Sequence, residues 1–276
     1  MKHIAVTGGS GKAGRATVTE LLAHGYQVRN IDIAAPTERT APFQKTDLTE
    51  LSETIEAMHG CDAVIHLAAN PDPSGRTEEV MFRHNTGSTY NVFRAAQLLG
   101  MQRVVWASSE TVLGLPFERR PPAQVPVDET YSAPESSYAL SKLVSEEMAR
   151  QFSSWTGATY VGLRFTNIME QHDYARFADW QADPTQRQWN FWAYVDARDV
   201  AQACRKSLEA PLTGAEVFVI AAADTCMERT NTELLATYYP QIRIAPGTGP
   251  HATLLSIAKA QRLLGYAPQY SWRNNQ

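Results

Sequence analysis

Three groups of residues in this 276-residue chain have types and spacings that could do chemistry. The first is Thr7-Gly8-Gly9-Ser10-Gly11-Lys12-Ala13-Gly14, in which Gly8, Gly11 and Gly14 recur at intervals of three. A backbone without Cβ atoms there can approach a pyrophosphate and offer it N–H groups, with Lys12 and Ala13 inside the same loop. The spacing departs from the usual G-x-G-x-x-G, and a tight turn is the plain alternative, so the strand-turn-helix context carries most of the weight. The second is Asp32, which follows Gly14 by 18 residues. A carboxylate at that place can accept hydrogen bonds from the 2′ and 3′ hydroxyls of an adenosine ribose, which favours NAD. Lys12, Arg29 and Arg39 are close enough in sequence to leave NADP open. The third is Tyr138 with Lys142, a phenol and an ammonium four residues apart on one helix face. A cation beside a phenol favours its ionised form, so the pair can exchange a proton with a substrate hydroxyl.

The elements that must position these groups alternate. Ile4–Thr7 reads as a buried strand and Lys12–His24 as a helix with Val18, Leu21 and Leu22 on one face, stopped by Gly25. Val28–Ile33, Ala63–Leu67 and Val104–Ala107 read as further strands, separated by helices over Leu48–Met58 and Val80–Leu99. Such alternation predicts an α/β fold with a doubly wound parallel sheet, because each right-handed crossover covers one face. The proline-rich stretch Leu115–Ser136 predicts an irregular loop near the site. Beyond it, Leu140, Val144, Met148 and Phe152 predict the buried stripe of a long helix ended by Gly157. Tyr160–Phe165 and Val217–Ala221 complete the strands, with a helix at Asp199–Leu208. Residues 1–165 and 191–222 then form the nucleotide-binding core, and 166–190 with 223–276 a small region capping the substrate.

Composition narrows the class. With 43% hydrophobic and 20% charged residues the chain is neither disordered nor fibrous, and a net charge of −4 supplies no field for nucleic acid or anionic lipid. No apolar run is long enough to span a membrane. Cys61, Cys204 and Cys226 lack the paired spacing of a structural metal site, so no metal is expected and a reducing, cytoplasmic setting fits. A small-molecule ligand is the expectation.

Taken together, these residues resemble the extended short-chain dehydrogenase/reductase group, the NAD-dependent epimerase/dehydratase family. The resemblance covers Lys2–Phe165 well and the remainder in outline. Its glycine pattern matches Gly8, Gly11 and Gly14, its adenine-side Asp-Leu matches Asp47-Leu48, and its H-x-A-A matches His66-Leu67-Ala68-Ala69. Asn85-Thr86-Gly87-Ser88-Thr89 is similar to its N-x-x-G-T helix motif, and Ser108-Ser109-Glu110-Thr111-Val112-Leu113-Gly114 to its S-S-x-x-V-Y-G segment. The resemblance implies that Asp47, Leu48, Leu67, Ala68, Ala69 and Asn85 line the cofactor. It implies that Ser109 holds the reacting oxygen, Tyr138 is the acid/base, and Lys142 holds the nicotinamide ribose and supports the phenolate. Ser108 is the weaker substitute for Ser109, and His66 reads as a packed strand-end histidine.

Fold does not decide among the family's reactions. Dehydratases of the family carry Thr-Asp-Glu where this chain has Ser109-Glu110-Thr111, which disfavours dehydration. Nucleotide-sugar epimerases resemble longer chains with a larger C-terminal part. Compact uronate dehydrogenases are more similar: Tyr174-Ala175-Arg176-Phe177-Ala178-Asp179-Trp180 matches their Tyr-x-Arg region, with Asn167 before it. The expected activity is therefore hydride transfer between NAD and a sugar or sugar-acid carbon, with an epimerase using tightly held NAD as the alternative. Ser74, Ser109, Glu110, Thr111, Asn167 and Arg176 are the expected substrate contacts, Arg176 for a carboxylate. The resemblance also implies a homodimer paired through two helices. Asp196 and Asp199 read as structural, and Trp272 and Arg273 fit no motif or core stripe.

Overall fold

In the computed structural model, which describes residues 1–70, 77–117 and 119–275, the alternation predicted from sequence appears as a seven-stranded parallel sheet. The first half runs β1 (His3–Thr7), α1 (Lys12–Ala23), β2 (Gln27–Asp32), β3 (Phe43–Lys45), α2 (Leu51–Met58), β4 (Ala63–His66), α3 (Glu78–Leu98) and β5 (Arg103–Ser109). The second half runs β6 (Gln124–Val125), α4 (Ser137–Thr156), β7 (Thr159–Phe165), β8 (Ile168–Met169), α5 (Phe177–Ala182), α6 (Thr185–Gln188), β9 (Val195–Asp196), α7 (Ala197–Glu209) and β10 (Ala215–Ile220). α8 (Asn231–Tyr238), β11 (Arg243–Ile244) and α9 (Ala258–Leu264) follow.

The sheet order is β10-β7-β5-β4-β1-β2-β3, a Rossmann-type arrangement. The chain winds outward from β1 through β2 to β3, then returns to place β4 on the other side of β1. That reversal opens a crevice at the carboxyl ends of β1 and β4, where a doubly wound sheet binds its ligand. The loop after β1 holds Gly8 and the loop after β4 holds Leu67, so topology brings two of the sequence motifs to one place. The sheet is buried on both faces. Val18, Leu21, Val105, Leu163 and Val200 belong to one apolar layer, and Val64, Phe93, Trp106, Phe152 and Tyr160 to the other.

Two stripes differ from expectation. Leu140 is 45% exposed, and Val144 and Met148 are only half-buried, while Phe152 is buried. The face of α4 that meets the sheet instead carries Ala139, Lys142, Ser145, Glu146 and Ala149. The reason is polar pairing beneath the helix: Ser108 Oγ donates to Glu146 at 2.6 Å, Arg164 forms a buried ion pair with Glu146 at 2.8 Å, and Trp106 Nε1 donates to Ser145 at 3.2 Å. On α1, Leu22 is likewise exposed while Val18 and Leu21 are buried.

Segments 166–190 and 223–276 lie outside the seven-stranded sheet and take part in two short two-stranded sheets. β8 pairs with β9 and β6 with β11, so the described part of the proline-rich loop is anchored to the C-terminal segment. Trp272, which matched no sequence pattern, is buried against Phe177 at 5.5 Å between ring centroids, and its Nε1 donates to Thr225 O at 3.0 Å. Arg273 pairs with Asp224 at 3.1 Å.

Candidate active site

Close backbone approach builds the cofactor half. Gly8 has φ +70°, and a Cβ there would stand 2.5 Å from Ala68 N. A Cβ on Gly14 would overlap Gly8 O, so the first turn of α1 can seat against the loop only without a side chain. Gly11 is the N-cap of α1 and supplies no side-chain cap, and the first turn carries no acid. The N–H groups of that turn, at the positive end of a 12-residue helix, are thus available to an anion.

Around this turn lie two adjoining clefts. One, of about 530 Å³, is lined by Gly8, Gly11, Asp32, Asp47, Leu48, Ala68 and Asn85 among others. The other, of about 630 Å³, is lined by Gly8, Gly11, Lys12, Ala13, Gly14, Leu67, Ala69, Ser109, Glu110, Thr111, Tyr138, Lys142 and Asn167 among others. A dinucleotide extended from Asp32 to Tyr138 across the helix end fits this shape and donor set.

Asp32 ends β2 and accepts from Ser10 N at 3.0 Å and Ala34 N at 3.2 Å. Asp47 accepts from Thr49 N at 2.9 Å and Thr49 Oγ1 at 2.7 Å, bonds that hold its carboxyl below the usual carboxylate range. Asn91 of α3 clamps the same turn, donating to Leu48 O and Thr49 O. Asn85 and Asn70 exchange two hydrogen bonds, fixing the loop after β4. His66 is buried between Thr7 Oγ1 at 2.7 Å and Thr89 Oγ1 at 3.2 Å, and burial pulls it down to about 3, so it is a neutral packing residue. Of the cations near the glycine loop, Lys12 reaches Asp173 at 2.6 Å and Arg29 donates to Ala57 O and His59 O, so neither is free for a 2′-phosphate.

At the other end Ser109, Tyr138 and Lys142 meet. Ser109 Oγ accepts from Thr111 Oγ1 at 2.9 Å and lines the same cavity as the Tyr138 phenol, close enough to favour its ionised form. Lys142 Nζ lies 5.6 Å from the Tyr138 ring centroid and donates to Ala107 O at 2.9 Å. Ser108 donates to Glu146 instead, which leaves the Ser109 hydroxyl as the one beside Tyr138. One expectation changes sign. Burial pushes Tyr138 up to about 12, with Glu110 adding to the rise and the Ser109 hydroxyl opposing it, while burial pulls Lys142 down to about 8. Desolvation, which disfavours both charged forms, outweighs their proximity.

The substrate expectations divide. Ser109, Glu110, Thr111 and Asn167 line the cavity. Arg176 does not: it is exposed, its guanidinium over the Trp180 ring at 5.6 Å, because the 3₁₀ turn Gln171–Arg176 is pinned to α1 by Lys12–Asp173 and Arg15–Glu170 pairs. Ser74 lies outside the described residues. Trp189, which lines the cavity, Asn190, which hydrogen-bonds Glu110, and Arg187, whose charge acts on Glu110, carried no sequence signal because they sit in a stretch without periodicity. Asp196 caps α7 and holds Arg198 and Tyr174, and Asp199 accepts from Gln269 N and Tyr270 N, so both hold structure.

A fold, a helix-end cradle and a Ser-Tyr-Lys group of this kind define a nucleotide-dependent enzyme. Residues 4–221 match the model of the NAD dependent epimerase/dehydratase family, and the chain belongs to that family. It is 28% identical over 255 residues to an L-arabinose 1-dehydrogenase (NAD(P)(+)) of Haloferax volcanii, covering 87% of this chain and 97% of that protein. Among solved structures it resembles a UDP-glucose 4-epimerase of Thermotoga maritima (TM-score 0.74, 21% identity, 98% of this chain and 94% of that one). It also resembles a mutated uronate dehydrogenase (TM-score 0.69, 21% identity, 99% and 85%). At those identities the two structures speak for the fold alone. No helix among the described residues is long and apolar enough to cross a membrane.

Proposed function

We propose that the chain is an NAD-dependent oxidoreductase acting on a hydroxyl-bearing carbon of a sugar or sugar acid. The observation that carries this reading is that Ser109, Tyr138 and Lys142 line one cavity together with the glycine cradle. NAD bound in that cradle supplies the hydride acceptor. Ser109 Oγ orients the substrate oxygen, and Tyr138 Oη takes the hydroxyl proton in oxidation or returns it in reduction. Lys142, held by Ala107 O, lowers the cost of the phenolate and faces the cofactor ribose. Asp32 favours NAD over NADP, since the neighbouring Lys12 and Arg29 are engaged elsewhere. Segments 166–190 and 223–276 act as the substrate cover.

The kinship to a sugar dehydrogenase along nearly its whole length supports oxidation without re-reduction. The test is incubation with aldoses, uronic acids and sugar nucleotides while NADH absorbance is followed. Net NADH bears the reading out, and an epimerised product without NADH replaces it with the epimerase alternative. The chain pairs as a homodimer through α3 and α4, whose Tyr90, Leu98 and Leu140 are 46%, 52% and 45% exposed, a reading that a monomeric mass in light scattering rejects. Its free thiols suit a reducing compartment, the cytoplasm.

A further inference from the structure

Proton transfer through Tyr138 leaves one charge-bearing group of the cavity without a task. Glu110 is 3% exposed yet lines the cavity beside Thr111, Asn167 and Trp189. Asn190 Nδ2 donates to its two oxygens at 3.1 and 3.3 Å, and the Arg187 charge acts on it without forming an ion pair. Asn190 is itself set by a turn in which Phe191 and Trp192 take φ +53° and +56°. Such angles are costly for bulky residues and persist only where the surroundings hold them. The carboxyl group is therefore built in and fixed.

The cavity's cations point the same way. Among the described residues that line it, these are Lys12, whose ammonium is bound to Asp173, and Lys142, bound to Ala107 O. Among the described residues no guanidinium lines it, and Arg176 lies over Trp180. Among the described walls, a substrate carboxylate entering here would meet a buried acid and two lysines already engaged. A hydroxyl both donates and accepts, so it satisfies Glu110 in either protonation state.

We infer that Glu110 sets the substrate class: it hydrogen-bonds a hydroxyl of a neutral sugar and disfavours the corresponding sugar acid. The inference rests on the reading of the cavity as a sugar site, and concerns binding rather than hydride transfer. Burial, opposed by Arg187 and by the Asn190 hydrogen bonds, pushes the carboxyl up to about 8, and Tyr138 is the titratable group facing it from α4. Its charge is then gained above neutral pH, and discrimination widens there.

The experiment is calorimetric titration of the full chain at saturating NAD with D-galactose and L-arabinose as neutral probes and D-galacturonate as the acid probe. Wild type is compared with Glu110→Gln, which keeps the shape and can offer an N–H to the unpartnered Asn190 Oδ1. At about pH 9 wild type is expected to bind a neutral probe at least about tenfold more tightly than the acid, with a smaller ratio near pH 6.5. In Glu110→Gln the ratio should fall to within about twofold and lose its pH dependence. Tighter binding of galacturonate by wild type, a ratio unchanged in the variant, or no binding of any probe overturns the inference. NADH absorbance read on the same samples keeps the two readings apart. The expected ratio without NADH removes the oxidoreductase assignment and leaves Glu110 its role, whereas NADH formed preferentially from galacturonate does the reverse.

Discussion

The two ends of the cleft are made by different means. The cofactor end is backbone: glycines at the end of β1, an uncapped helix turn and one strand-end carboxylate, all within residues 7–32. The substrate end is side chains from distant parts of the chain. Ser109 ends β5 and Glu110 follows it, Tyr138 and Lys142 lie on α4, Asn167 follows β7, and Trp189 and Asn190 come from the 166–190 segment, which packs on Trp272 near the C-terminus. A backbone cradle tolerates almost any sequence around it provided the glycines remain. A side-chain site can be retuned one residue at a time, which is how one fold supports several reactions.

The largest effect should come where the two ends meet. Tyr138→Phe removes the hydroxyl that moves the proton and leaves the cradle intact, so kcat should drop by about 10² to 10⁴ with NAD affinity nearly unchanged. A variant keeping more than about a tenth of wild-type kcat removes Tyr138 from the acid/base role. Because burial pushes the phenol up to about 12, the oxidation rate of the native enzyme should climb as pH rises above neutral, while the reverse reduction, which uses the protonated phenol, should stay flat over the same range. A flat oxidation profile would place the proton transfer elsewhere.

The cradle breaks differently. Gly14→Ala drives a methyl into Gly8 O and to 2.5 Å from Gly9 Cα, backbone atoms that cannot yield without moving the loop. Overpacking of this kind costs about 1 to 3 kcal/mol, and NAD affinity should weaken by roughly tenfold or more. Fluorescence titration with NAD and a thermal melt check both effects. Unchanged affinity would mean that the helix end is not the pyrophosphate site.

This contrast also explains what was legible in the sequence. Gly8, Gly11, Gly14 and Asp32 could be read because a short local pattern fixes their geometry, and the alternation of strands and helices fixed the sheet around them. Ser109, Tyr138 and Lys142 could be read because strand ends and a helical spacing of four place them. Asn190, Arg187 and Trp189 could not, since only tertiary packing of the aperiodic cover brings them to Glu110. Leu140 misled for a related reason. Its periodicity was real, but the sheet-facing side of α4 is occupied by small and charged residues that pair with Ser108 and Arg164.

A smaller effect is expected at Asp32, which separates the hydroxyl-bearing ribose of NAD from the phosphate-bearing one of NADP. Hydrogen bonds to a charged group contribute about 1.5 to 3 kcal/mol, so Asp32→Ala should shift the NAD to NADP ratio of kcat/KM by at least about tenfold toward NADP. Equal efficiency with both cofactors in the native enzyme would show that a nearby cation such as Arg39, whose guanidinium lies over Phe43, outweighs the carboxylate.

The smallest effect is expected at Arg176, and there the comparison is sharpest. Its place after Tyr174 suggests a carboxylate clamp. If Arg176 held a substrate carboxylate directly, Arg176→Ala would remove a charge-assisted hydrogen bond and lower kcat/KM for a sugar acid by roughly ten- to a hundred-and-fifty-fold. The structure instead gives it an exposed guanidinium over Trp180, an arrangement contributing about 0.5 to 1 kcal/mol. Trp180 stays stacked on Phe177 at 4.6 Å without it, so the cover keeps its core. Arg176→Ala should therefore change kcat/KM by less than about threefold, and equally for neutral and acid sugars. A loss confined to the acid would bring Arg176 into the cavity when substrate binds, and with it a free positive charge that the described walls around Glu110 do not supply.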